Sequence, residues 1–250
     1  MPPGEAPPRY LEPLLGIVFD LDGTLVLSDH DFVRMRREVV RLAERYGVPA
    51  GRLSPNDRIH QIMERAREEL HATGATEGVI ARLESEAHRA IDAIELEALP
   101  RTTARPGAEP LLRELSARGF RLGILTRSAE GFCRGALKQT GLSAFFPNLR
   151  SRSSPGPSKP SPEALLLLLE EMGVPRDRAL YVGDHAIDAE CATRARIRFY
   201  AVLPEQPDGP GAMTVDRFLA MGATAVARDL TDLARHLGVA PPAAAPGARR

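Results

Sequence analysis

The chain has no tryptophan, an aromatic content of 5% and two cysteines in 250 residues. Those cysteines, Cys133 and Cys191, stand far apart and belong to no Cys-x-x-Cys pair or Cys/His cluster, which argues against a disulfide framework and a structural zinc site. Both read as reduced, partly buried residues. An excess of either charge is also missing: 33 Lys plus Arg balance 33 Asp plus Glu. No overall field therefore draws the chain to nucleic acid or to an anionic membrane, and neither is expected as a partner. Long apolar runs are absent as well. The most conspicuous, 165–169, stops at Glu170 and falls short of the roughly 20 residues of a membrane-spanning helix. The first residues, MPPGEAPPRYLEPLL, lack a basic stretch followed by an apolar one, so no secretory signal is read and the expected location is the cytoplasm. The Pro-rich beginning and Ala/Pro-rich end bury too little to offset ordering entropy, so 1–13 and 239–250 are expected to be flexible.

What is present is alternation. Short apolar runs bounded by polar residues or glycine, at 16–19, 122–125, 180–182 and 199–203 with a weaker one at 223–227, have the character of buried parallel strands. Helical patterns fall at 108–118, 131–140, 162–172, 187–196 and 230–237. This predicts an α/β fold, a Rossmann-like doubly wound parallel sheet whose ligands bind beyond the carboxyl ends of the strands. From 31 to 99 the rhythm changes to charged, helix-favouring sequence with apolar residues at helical spacing, among them Val33, Ile62, Leu70, Leu83 and Ile91. It reads as a helical insertion, either a lid over the strand ends or a bundle that only adds stability. The expected division is a core of 14–30 with 100–238, and a helical cap of 31–99.

The first strand runs into the sequence FDLDGT. If extended, Asp20 and Asp22 share a face, and two like charges so placed need a cation, water or a shifted pKa to relieve them. A polar turn at a strand end accounts for the same residues equally well. Further along, Thr126 in LTRS, Lys159 in SKPSPE, and Asp184 and Asp188 in GDHAID follow later strands. Together these types suit phosphoryl transfer. A carboxylate such as Asp20 can attack phosphorus, a second carboxyl such as Asp22 can protonate the leaving oxygen, and Lys159 and Thr126 can meet the equatorial oxygens. Asp20, Asp184 and Asp188 supply the oxygen ligands that Mg2+ prefers. Arg127, beside Thr126, can pair with an anion bidentately or lie as an ordinary surface arginine. His30, alone in a polar loop, reads as solvated, and His185 is somewhat better placed for a role.

The four motifs in this order resemble the haloacid dehalogenase superfamily, in particular phosphoglycolate phosphatase-like members with a helical cap after the first motif. The resemblance spans about residues 14–238. It implies a central Asp20 strand, Asp20 as nucleophile, Asp22 as general acid and base, and phosphate binding by Thr126 and Lys159, to which Arg127 is added as a candidate from its own chemistry. It further implies Mg2+ held by Asp20, the Asp22 main-chain carbonyl and Asp184, with Asp188 close by. The expected activity is hydrolysis of a small phosphorylated metabolite. A sugar phosphomutase and a non-catalytic binding protein on the same scaffold are the alternatives. Two positions depart from many relatives, Leu27 where an aspartate often precedes Ser28, and His185 where a small hydroxylated residue often follows Gly-Asp. Both should lie near the pocket. The Ser/Pro-rich stretch 151–162 and a loop at 204–211 before a short helix are expected to shape its rim.

Overall fold

A computed structural model describes residues 13–205 and 212–239. The expected flexible ends, apart from Pro13 and Val239, and most of the 204–211 loop lie outside the described residues; Val239, expected to be flexible, is instead buried in the core. In chain order the elements are β1 (Gly16–Phe19), β2 (Val26–Leu27), α1 (Phe32–Arg45), α2 (Ile59–Ala72), α3 (Glu77–Ala98), β3 (Thr103–Ala104), α4 (Ala108–Ala117) and β4 (Arg121–Leu125). There follow α5 (Glu130–Gln139), β5 (Asn148–Arg150), α6 (Pro162–Glu171), β6 (Ala179–Gly183), α7 (Ala186–Ala195), β7 (Arg198–Val202), α8 (Val215–Ala220), β8 (Ala225–Ala227) and α9 (Leu230–His236).

Six strands form one parallel sheet in the order β5-β4-β1-β6-β7-β8. The chain winds outward from β1 in both directions, so the order reverses there, and helices cover both faces. Side-chain alternation explains why β1 is apolar throughout. Ile17 and Phe19 enter one cluster with Leu112, Phe132 and Leu233 of α4, α5 and α9, while Val18 enters another with Leu165, Tyr181 and Phe199 against α6 to α8. The result is an α/β doubly wound fold whose central strand ends just before Asp20.

Helices α1 to α3 enclose a cluster of their own, with Met35, Val39, Ile62, Leu70, Leu83 and Ile91 all buried. Asp31 begins α1 by accepting the backbone N–H of Arg34 at 2.8 Å, which satisfies one of the unpaired donors of the first turn. The connections on either side of these helices pair with each other as the antiparallel strands β2 and β3, with Val26 opposite Ala104 and Leu27 opposite Thr103. Among the described residues no helix is long and apolar enough to cross a membrane.

Candidate active site

The carboxyl ends of β1, β4 and β6 lie side by side, and the residues that follow them meet. Asp20 comes directly after β1, with its N–H bonded to Val182 O of β6 at 2.8 Å; Leu21 is buried in the core while the two carboxyls lie outside it. Lys159 relieves Asp20. Its Nζ, on a side chain 3% exposed, lies 2.7 Å from Asp20 Oδ1 and 2.7 Å from Asp188 Oδ1. Burial pushes the Asp20 carboxyl up to about 6 while the Lys159 ammonium pulls it down.

Asp188 is fixed from three sides. Besides Lys159, the Tyr181 hydroxyl donates to its Oδ1 at 2.7 Å and the His185 backbone N–H to its Oδ2 at 3.0 Å. His185 in turn starts α7, its Nδ1 accepting the Ile187 N–H at 3.2 Å. Gly183, the last residue of β6, leaves the space this needs, since a Cβ there would come within 2.6 Å of the Asp188 carboxyl. Gly23 does the same for Asp184. Its φ of +84° suits glycine, and a Cβ would lie 2.3 Å from Asp184 Oδ2. Thr24 Oγ1 donates to Asp184 Oδ1 at 2.6 Å.

Asp20, Asp184 and Asp188 each offer an oxygen, all within 4.8 Å of one another. Burial and the neighbouring carboxylates Asp20 and Asp188 hold Asp184 well above the usual carboxylate range. An all-oxygen donor set carrying more negative charge than burial favours fits a hard divalent cation such as Mg2+. The Asp22 side chain is not in this group. Its Oδ1 accepts the Ser28 hydroxyl, and burial pushes its carboxyl up to about 7, with Asp20 and Glu95 adding to the rise and Ser28 opposing it. Near neutral pH both of its protonation states are therefore accessible.

His30 corrects its expectation. The side chain is 2% exposed rather than solvated, with Nε2 3.5 Å from Asp22 Oδ2 and both ring nitrogens without a hydrogen bond among the described residues. Burial, reinforced by Arg152, pushes it down to about 4, leaving the imidazole neutral.

Thr126 is buried at the end of β4, its N–H bonded to Arg150 O and its hydroxyl oxygen accepting the Ser128 N–H at 3.2 Å. Arg127 is half-buried, and its guanidinium has no hydrogen bond or ion pair among the described residues. Burial and Arg152 lower its pKa, an environment that favours an arriving anion.

Two groups not singled out from sequence hold this site from behind. Glu95 of α3, 5% exposed, accepts the Ala129 N–H at 2.7 Å and Arg152 Nη1 at 2.9 Å; Arg152 also reaches Asp92 Oδ1 at 2.5 Å and Arg127 O at 2.8 Å. Buried Arg105 donates to Gly23 O at 2.5 Å and Leu203 O at 2.6 Å. The charge run of α3 hid Glu95 among exposed carboxylates. Arg105, just before Pro106, carried no local signal.

A family model described as haloacid dehalogenase-like hydrolase matches residues 14–196. The chain belongs to the haloacid dehalogenase-like hydrolases. A phosphoglycolate phosphatase of Rhodospirillum rubrum is 30% identical over 239 residues, covering 90% of this chain and 92% of its own. One from Cereibacter sphaeroides is 31% identical over 185 residues, covering 74% and 83%. A solved hydrolase of Pseudomonas syringae has the same fold, with a TM-score of 0.61 at 24% identity over 90% of this chain and 98% of that one. Within the family this chain is a phosphoglycolate phosphatase-like enzyme of the phosphatase class.

Proposed function

We propose that this haloacid dehalogenase-like enzyme is a Mg2+-dependent phosphatase that hydrolyses a small, phosphoglycolate-like phosphomonoester through an aspartyl-phosphate on Asp20. The reading rests above all on the cluster in which Asp20, Asp184 and Asp188 converge within 4.8 Å while Lys159 Nζ bridges Asp20 and Asp188. An Asp20 carboxylate oxygen attacks phosphorus as the bond from phosphorus to the ester oxygen breaks, and Asp22 gives its proton to that oxygen. Asp22, now ionised, takes a proton from water as the water oxygen attacks phosphorus; the bond to Asp20 breaks and inorganic phosphate leaves. Asp20, Asp184, Asp188 and the Asp22 main-chain carbonyl would hold Mg2+, whose charge offsets that of the phosphoryl oxygens. Thr126, Lys159 and Arg127, which has no ion pair among the described residues, provide the remaining donors.

We assign 14–30 and 100–238 to the catalytic core and 31–99 to a cap. That α1 leaves just after the Asp20 loop and α3 touches the β4–α5 connection through Glu95 supports a role for the cap in excluding water and selecting substrate. The test is hydrolysis of a panel of small phosphate esters, with and without Mg2+, with phosphate release and phosphoryl transfer to sugar monitored separately. Mg2+-dependent release of phosphate is expected. Transfer to sugar in its place, or no turnover of any ester, would overturn the assignment.

A further inference from the structure

His30 lies between β2 and α1, where the chain leaves the Asp20–Asp22 loop for the helices. Its ring is seated between Phe132 of α5, centroids 4.5 Å apart, and Phe32 of α1, 5.6 Å away. The side chain is 2% exposed, yet Nδ1 and Nε2 have no hydrogen-bond partner among the described residues. An apolar side chain would fill such a seat without leaving buried polar atoms unpaired, so packing alone does not explain an imidazole there. The polar group it faces is the one the chemistry needs. Nε2 stands 3.5 Å from Asp22 Oδ2, just outside hydrogen-bond reach, while Ser28 holds the other oxygen, Oδ1.

Resting on the functional reading above, we infer that His30 is a positioning residue for Asp22, its Nε2–H donating to Oδ2 so that Ser28 and His30 together fix the plane of the acid. A carboxyl has about four lone-pair sites on its two oxygens, so two fixed donors leave room for the proton that goes to the leaving oxygen. The structure shows the pair a few tenths of an ångström short of this contact. Because His30 belongs to the connection into α1, a small shift of the helices relative to the sheet closes the gap. Orientation of the acid and placement of the helices over the site then become one event.

The leaving group provides the test, because kcat/KM reports only steps through departure of the ester oxygen. An alkyl alkoxide needs a proton as it leaves; a nitrophenolate does not. His30→Phe, which preserves an aromatic ring but no donor, should lower kcat/KM for an alkyl phosphate such as 2-phosphoglycolate by about 10-fold or more, a part of what general acid catalysis contributes. For 4-nitrophenyl phosphate the change should stay within about 3-fold. His30→Gln, whose amide N–H can take the place of Nε2–H, should recover most of the alkyl-ester rate, and His30→Leu repeats the comparison if the larger ring is not accommodated. Asp22→Asn run alongside should show the same leaving-group selectivity. Equal losses on both esters, no loss on either, or a His30→Gln variant as poor as His30→Phe would overturn the inference. If Asp22→Asn is selective and His30→Phe is not, only the positioning role falls. If Asp22→Asn is unselective, or the unmodified enzyme hydrolyses no ester of the panel above, the functional reading falls and takes this inference with it.

Discussion

Replacing Lys159 by methionine keeps the length of the side chain and removes its charge. The ammonium is shared, 2.7 Å from Asp20 and 2.7 Å from Asp188, on a side chain 3% exposed. Breaking a buried ion pair by deleting one partner costs about 3–5 kcal/mol, since the other charge is left without compensation. Here one cation serves two carboxylates, which places Lys159→Met toward the upper end. In a domain of this size about 1 kcal/mol corresponds to roughly 2–4 °C of Tm, so the metal-free variant should melt about 6–20 °C lower at pH 8.

The deficit should depend on pH in a defined direction. Asp20 is already raised to about 6 with Lys159 in place, and losing the ammonium, which pulls it down, moves it higher. A carboxyl with a folded pKa above its unfolded value of about 4 favours the folded state fully below pH 4 and loses that contribution as pH rises through the folded value. The penalty of Lys159→Met should therefore be small at pH 5, where Asp20 can take up a proton, and large at pH 8. Circular-dichroism melts of both proteins in chelator at the two pH values measure it. Equal melting temperatures at pH 8, or a deficit that shrinks from pH 5 to pH 8, would refute the reasoning. In Mg2+ the variant should turn over at least about 100-fold more slowly, as removal of a preorganised donor at developing charge usually does.

Asp20→Asn should abolish turnover and also trapping by beryllium fluoride, because an amide cannot form the acyl-phosphate at a useful rate; hydrolysis near the normal rate would rule out the covalent route. Chelation should stop activity and Ca2+ should not restore it, since its larger and looser oxygen shell misplaces nucleophile and phosphate, and full turnover in chelator would remove the metal from the mechanism. Glu95→Ala leaves the Ala129 N–H without its acceptor and Arg152 with one carboxylate fewer, so Tm should fall by several degrees and discrimination among natural esters should narrow. An unchanged substrate ranking would make this contact purely structural.

Much of the sheet can be read from the chain because its inner strands are buried on both faces. The apolar run 16–19 coincides with β1, and those at 122–125 and 180–182 lie inside β4 and β6. The edge strand β5 was not anticipated: Asn148–Arg150 has one apolar residue in three and pairs only with β4. Strands β2 and β3 are invisible locally for a different reason. Each is two residues long, and each exists because the chain returns after three helices to lie beside itself. The residues brought together at the strand ends were legible because each sits where an apolar run gives way to polar residues or glycine. The expectation for His30 follows the polar Ser28, Asp29 and Asp31 beside it, whereas the fold seats its ring between Phe32, two residues on, and Phe132, which is distant in sequence.

That difference between sequence and spatial neighbours bears on how the site divides its charges. The cations fall into two groups. Lys159 faces Asp20, and Arg127 has no carboxylate partner among the described residues, whereas Arg105 and Arg152 have both terminal nitrogens engaged by backbone carbonyls or by Glu95 and Asp92. A guanidinium already holding carbonyls or carboxylates on both arms has little left for a substrate phosphate, so its contribution is to hold a loop in place. Arg105 does this for Gly23, whose close approach to Asp184 leaves no room for a side chain, and Arg152 for the turn that presents Thr126 and Arg127. Groups of the first kind can be found from motifs because the chemistry dictates their type. Those of the second kind depend on which loops happen to meet, and only the folded chain determines that.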